Sequence, residues 1–159
     1  LRSLVGSEMC IRDSIYFVED DYLHYEHSLV DMLNTYERVS SQHKDEIIVC
    51  PSDYPFNYMN NEKTNILIGS QQHWRTITKM LCTFMISKKM FQKHIDNFEK
   101  TCEKRHEPFE KYLNKILESE IGISPIKSLA IHMTNVNSSY GLSPFIDLKK
   151  LWEENKIDQ

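Results

Sequence analysis

Glycine is scarce, with four in 159 residues, and no Gly-rich turn follows any strand-like run. That argues against a complete Rossmann or P-loop phosphate cradle, which needs glycines clustered where a strand enters a helix. There is no C-x-x-C. Apart from Cys10, which lies in the N-terminal segment set aside below, the cysteines are Cys50, Cys82 and Cys102, odd in number and widely spaced, which argues against a disulfide framework and a structural zinc site. A reducing, cytoplasmic setting is the simplest expectation. No apolar run approaches the roughly 18 residues needed to cross a bilayer, and no signal peptide, internal repeat or low-complexity tract is visible. Positive charge is not in excess either. The net charge is −4, so there is no basic footprint for nucleic acid. An anionic substrate stays compatible with that balance, because a bound cation can supply local positive charge.

Residues 4–13 read L-V-G-S-E-M-C-I-R-D. A common library-preparation adapter, read in one frame, is CTC GTG GGC TCG GAG ATG TGT ATA AGA GAC, and its codons spell this string in order. Residues 1–14 are therefore expected to be translated adapter, outside the fold, with Cys10 carrying no chemistry. Residues 15–159 are expected to be the C-terminal part of one domain.

Residues 15–18 (I-Y-F-V) read as a buried strand. Ser28-Leu-Val-Asp31 resembles a capping box, and Leu29, Met32, Leu33 and Tyr36 carry a helix to about Val39. Strands are expected at 46–50, 65–69, 83–87 and 128–133. The segment 51–55 (P-S-D-Y-P) reads as a loop. Two helices should follow the 83–87 strand. One carries Phe91, Ile95, Phe98 and Cys102, the other Phe109, Tyr112, Leu113, Ile116 and Leu117. Residues 122–125 should break the chain. Ser143-Pro144 should start a closing helix whose one side holds Phe145, Leu148 and Trp152. Strands alternating with helices imply an α/β domain with a mixed sheet flanked by helices.

Chemistry points first to Glu19-Asp20-Asp21. Three adjacent carboxylates repel unless a cation neutralises them. They follow a strand, and strand ends are where open α/β sheets place ligands. Hard oxygen donors suit Mg²⁺ or Mn²⁺. The competing reading is that the acids complement the dipole of the following helix. His132 ends a strand-like run and is a further metal or diphosphate ligand, or else a hydrogen-bonded core histidine. His73, Trp74 and Arg75 could form a substrate pocket, since Arg suits phosphate and Trp stacks on sugar faces. Asp53 is another candidate substrate contact. His24 and His27 share a helical face but lack a third ligand, and read as surface or supporting residues.

The string Y-F-V-E-D-D-Y-L at 16–23 resembles the strand-plus-acid motif of GT-A-fold glycosyltransferases close to family 2. G-S-Q-Q-H-W-R-T at 69–76, and A-I-H-M-T with the later L-S-P-F-I-D, resemble segments further along such enzymes. The resemblance implies a truncated GT-A-like domain that lacks its nucleotide-binding front half. It implies an inverting transfer of a sugar from a nucleotide-sugar donor to a glycan or lipid-linked acceptor, in the cytoplasm or at its membrane surface. Asp21, Glu19 and His132 would hold Mn²⁺ or Mg²⁺, and Asp20, Asp53, His73, Trp74 and Arg75 would contact substrate. A carboxylate near a downstream helix start, Glu107 or alternatively Glu110, would be the general base. The motif departs from the family in having glutamate first. Two alternatives remain. One is metal-dependent nucleotidyl or phosphoryl transfer, which calls for a second acidic pair. The other is a non-catalytic carbohydrate-binding or structural module.

Overall fold

The computed structural model describes residues 13–59, 61–103, 110–137 and 142–156. The elements in chain order are β1 (Ser14–Phe17), β2 (Tyr22–His24), α1 (Ser28–His43), β3 (Ile47–Val49), a 3₁₀ turn (Pro55–Tyr58), β4 (Ile66–Ile68), β5 (His73–Ile77) and β6 (Phe84–Ser87). There follow α2 (Lys88–Lys93), α3 (Ile95–Glu103), α4 (Glu110–Ile116), β7 (Ile121–Pro125), β8 (Ala130–His132), a second 3₁₀ turn (Met133–Asn137) and α5 (Leu148–Glu154). The expected α/β class with a mixed sheet is observed. Six strands lie in the order β1-β6-β3-β7-β5-β4, and β2 pairs with β8 in a separate small sheet. Within the large sheet β3 and β7 run parallel, and the other described pairings are antiparallel.

The period-2 alternation of strand side chains divides the core in two. Ile47 and Val49 of β3 and Met85 of β6 face α1, where they meet Met32, Tyr36 and Val39. Ile48, Phe84 and Ile86 point the other way, onto Met90 of α2 and Leu113 and Ile116 of α4. Each fully buried aliphatic side chain contributes roughly 1.5–3 kcal/mol, so the sheet is clamped from both faces. A third, smaller cluster joins Tyr25, Ile131 and Leu151, packing α5 onto the small sheet.

Several local expectations are corrected. The 15–18 run is an edge strand with half-buried residues, not a buried interior one, and Val18 is exposed beyond its end. Ser28 does not cap α1: His27 is the cap residue and makes no side-chain bond. The Ser28 hydroxyl instead donates to the Leu129 carbonyl. Asp31 accepts from the Gln71 backbone N–H and the Gln72 amide, so both would-be capping groups serve tertiary contacts.

The stripe through Phe91 and Phe98 is interrupted at His94, whose ring nitrogen lies 2.8 Å from a Glu120 carboxylate oxygen. Residues 122–125 do not break the chain. They form interior strand β7, where a Cβ on Gly122 would lie 2.4 Å from Leu117 Cδ2, so glycine is there for space and not for a turn. The last helix starts at Leu148, capped by the Asp147 carboxylate on Lys150 N–H at 3.0 Å, not at Ser143-Pro144. Phe145 precedes it with φ 73 and is exposed, and the helix buries Leu151 while Trp152 is half-exposed.

Candidate active site at the β1–β2 turn and β8

The chain leaves β1 at Phe17, crosses the acidic triplet and re-enters extended structure at Tyr22. Antiparallel pairing with β8 sets Tyr22 opposite His132. That register brings Asp21 Oδ2 to 2.7 Å from His132 Nε2. The Asp21 carbonyl accepts from the Met133 N–H at 2.9 Å, locking the turn onto the end of β8. The Tyr22 ring stacks on the His132 imidazole, with centroids 4.8 Å apart and planes 10° from parallel. Its hydroxyl lies 2.9 Å from that of Tyr54. The imidazole is thus fixed by a ring on one side and a carboxylate at its nitrogen.

Glu19 is held by Thr83, just before β6. Its backbone N–H donates to the Thr83 hydroxyl at 3.0 Å, and that hydroxyl donates back to its carboxylate at 3.4 Å. Burial pushes the Glu19 carboxyl above its ordinary range. The charges of Asp21 and Glu110 add to that shift, while His132 and Thr83 oppose it. Glu110, at the start of α4, also helps burial raise the Cys82 thiol to about 12. The structure therefore gathers Glu19, Asp21, His132 and Glu110 into one electrostatic neighbourhood. Asp20 is exposed. Glu107 lies outside the described residues. Among the described residues no three His, Cys, Asp or Glu side chains stand at metal-holding spacing.

A narrow crevice of about 10 Å³ continues from His132 to Asp53, lined also by Ser128, Asn135 and Ser143. Asp53 forms the inner wall. Its backbone N–H donates to Ser128 Oγ at 2.9 Å, and its Oδ2 accepts from the hydroxyls of Ser143 at 2.6 Å and Tyr58 at 2.5 Å. Its Oδ1 lies 3.3 Å from an Arg75 guanidinium nitrogen, and the Asp53 side chain is fully buried. Burial raises its pKa more than Ser143, Tyr58 and Arg75 lower it. The Arg75 guanidinium also packs 4.3 Å from the Tyr58 ring centroid and donates to its hydroxyl.

No family model, curated protein or solved structure matches this chain. Function must therefore be argued from the site itself.

The reading of residues 73–75 as a pocket is corrected in part. They form β5 and do not converge on the acidic turn. Trp74 has no exposed surface and sits in the α1-side core, so its faces are unavailable to a sugar. Arg75 is committed to Asp53. His73 is exposed and faces a different groove, with Arg38, Gln71 and Lys127. His24 accepts or shares a 2.5 Å hydrogen bond with the Tyr16 hydroxyl, and burial lowers its pKa. Cys50, Cys82 and Cys102 are free thiols. Tyr22, Thr83, Tyr58 and Ser143 are site residues that sequence reading did not single out. For Tyr22 a signal existed, since it directly follows the acids. Tyr58 reaches back to Asp53 from the 3₁₀ turn five residues on, whereas Thr83 and Ser143 are far from their partners in the chain and meet them only in the fold.

Proposed function

We propose that the chain derives from a metal-dependent glycosyltransferase, in which an acceptor hydroxyl attacks the anomeric carbon of a nucleotide-sugar. One observation carries the reading: Asp21 and His132, far apart in the chain, meet at 2.7 Å at the end of β8, where His132 also lines a crevice. The donor set fits Mn²⁺ or Mg²⁺ in kind. A carboxylate oxygen and an imidazole nitrogen suit Mn²⁺. Two close protein donors leave the remaining positions to water and diphosphate oxygens. When bound, such an ion would stabilise the negative charge of the departing diphosphate.

The chain's own residues do the rest. Tyr22 and Asp21 fix the His132 ring, and Thr83 orients Glu19. The general base would be Glu107 or, alternatively, Glu110, which begins α4. Ser143, on the crevice wall, offers a polar contact to a sugar hydroxyl. The proposed acceptor is a glycan or lipid-linked hydroxyl at the cytoplasmic side of a membrane. No helix among the described residues is long and apolar enough to cross a membrane.

The test is Mn²⁺ titration of the chain by electron paramagnetic resonance. The wild-type chain should bind Mn²⁺. Asp21→Ala and His132→Ala should each abolish that binding. Equal Mn²⁺ binding by all three proteins removes the metal role and with it the transferase reading.

A further inference from the structure

A second, small cleft of about 30 Å³ opens between residues 56–57 and 62–64 on one side and β5 on the other, lined by Asn57, Lys63, Thr64, Arg75, Thr76 and Lys79, among others. Two hydrogen-bond donors on its inner wall have no partner: the Arg75 Nε–H and the Asn57 side-chain amide nitrogen, both buried. Arg75 as a whole is only 9% exposed. A buried donor left unsatisfied costs about 1–3 kcal/mol, and a native structure tolerates that where a ligand completes the set.

The charges around the cleft favour an acceptor. The Arg75 charge is balanced by Asp53. Lys79 is balanced by Glu62 at 3.8 Å, and Glu62 also accepts from the Thr78 hydroxyl. Thr64 and Thr76 are engaged with each other and with backbone, the Thr64 hydroxyl donating to the Thr76 carbonyl at 2.7 Å. Lys63 is exposed and has no carboxylate partner among the described residues, so it supplies one surplus positive charge at the rim. Unpaired donors within and an unpaired cation at the mouth are the features of an oxyanion site.

We propose that this cleft binds a small oxyanion, a phosphate or a carboxylate. Lys63 contacts it at the rim, and the Asn57 amide turns outward to donate to it. Arg75 Nε–H lies behind them as the third donor. The proposal is independent of the acidic turn and does not rest on the transferase reading.

The test is isothermal titration of the full chain with inorganic phosphate and, separately, glucuronate. It is run in EDTA and at constant ionic strength, with chloride as control. At least one anion should bind while chloride does not, and the anion that binds names the source. Asn57→Leu and Lys63→Gln should each weaken binding by about tenfold, the scale of one hydrogen bond to a charged group, while Asp21→Ala should leave it unchanged. Lys63 is exposed, so its variant tests the site even where Asn57→Leu perturbs folding. Absence of binding by both anions, or an affinity unchanged in Lys63→Gln, overturns the proposal.

Discussion

Asp21 Oδ2 and His132 Nε2 lie 2.7 Å apart, yet the two side chains remain 39% and 18% exposed. Partial exposure makes this pair a weak stabiliser, worth about 0–1 kcal/mol. Asp21→Asn should therefore change the free energy of unfolding by less than about 1 kcal/mol while abolishing Mn²⁺ binding. Urea melts read alongside the metal titration separate the two. A large loss of stability would mean that the pair is structural.

Glu19 gives a pH signature. Burial raises its folded-state pKa above the unfolded value of about 4.3. The native state then holds the proton more tightly than the unfolded chain does. The stabilisation is complete below the unfolded pKa and is lost as pH rises through the folded one. In metal-free buffer, Glu19→Gln should melt higher than wild type at pH 7, and this advantage should vanish near pH 4. Parallel melting curves at both pH values would show that the carboxyl is not perturbed.

Asp53 and Arg75 form a buried ion pair, and removing one member strands the other. Asp53→Ala should cost about 3–5 kcal/mol by chemical denaturation. Asp53→Asn, which retains an acceptor for Tyr58 and Ser143, should cost less. Equal losses would assign the whole effect to charge.

The two tryptophans should report opposite environments. Trp74 has 0% and Trp152 52% exposure. Trp152→Phe should leave a blue-shifted emission that acrylamide barely quenches, and Trp74→Ala should cost about 3–5 kcal/mol as a core truncation. Ready quenching of the Trp152→Phe protein would place Trp74 at the surface.

Much of the fold was legible where local pattern and tertiary demand agree. The run E-I-I-V-C reads as a strand because residues alternating between two cores are apolar on both faces, and Ile47, Ile48 and Val49 are all fully buried. The α1 stripe is legible for the same reason in helical period. β7 was hidden because Gly122 and Pro125 look like turn residues. Only the structure reveals that Leu117 and Ile77 crowd the space where a Gly122 side chain would lie. Asp21 and His132 could each be picked out as polar residues at the ends of apolar runs. Their meeting could not, since it depends on β2, a three-residue strand without a hydrophobic signature. Trp74 and Arg75 misled because residue chemistry says nothing about whether a partner strand covers them.

β7 lies between β3 and β5, both of which precede it in the chain. Until residues 121–125 emerge during synthesis, the large sheet is two separate pieces, β1-β6-β3 and β5-β4, each with an open inner border. Because this keystone is the last of the six strands to be made, the large sheet can close as one cooperative unit only after it. A nascent chain stalled before it presents two sticky half-sheets to whatever chaperone or neighbour arrives first.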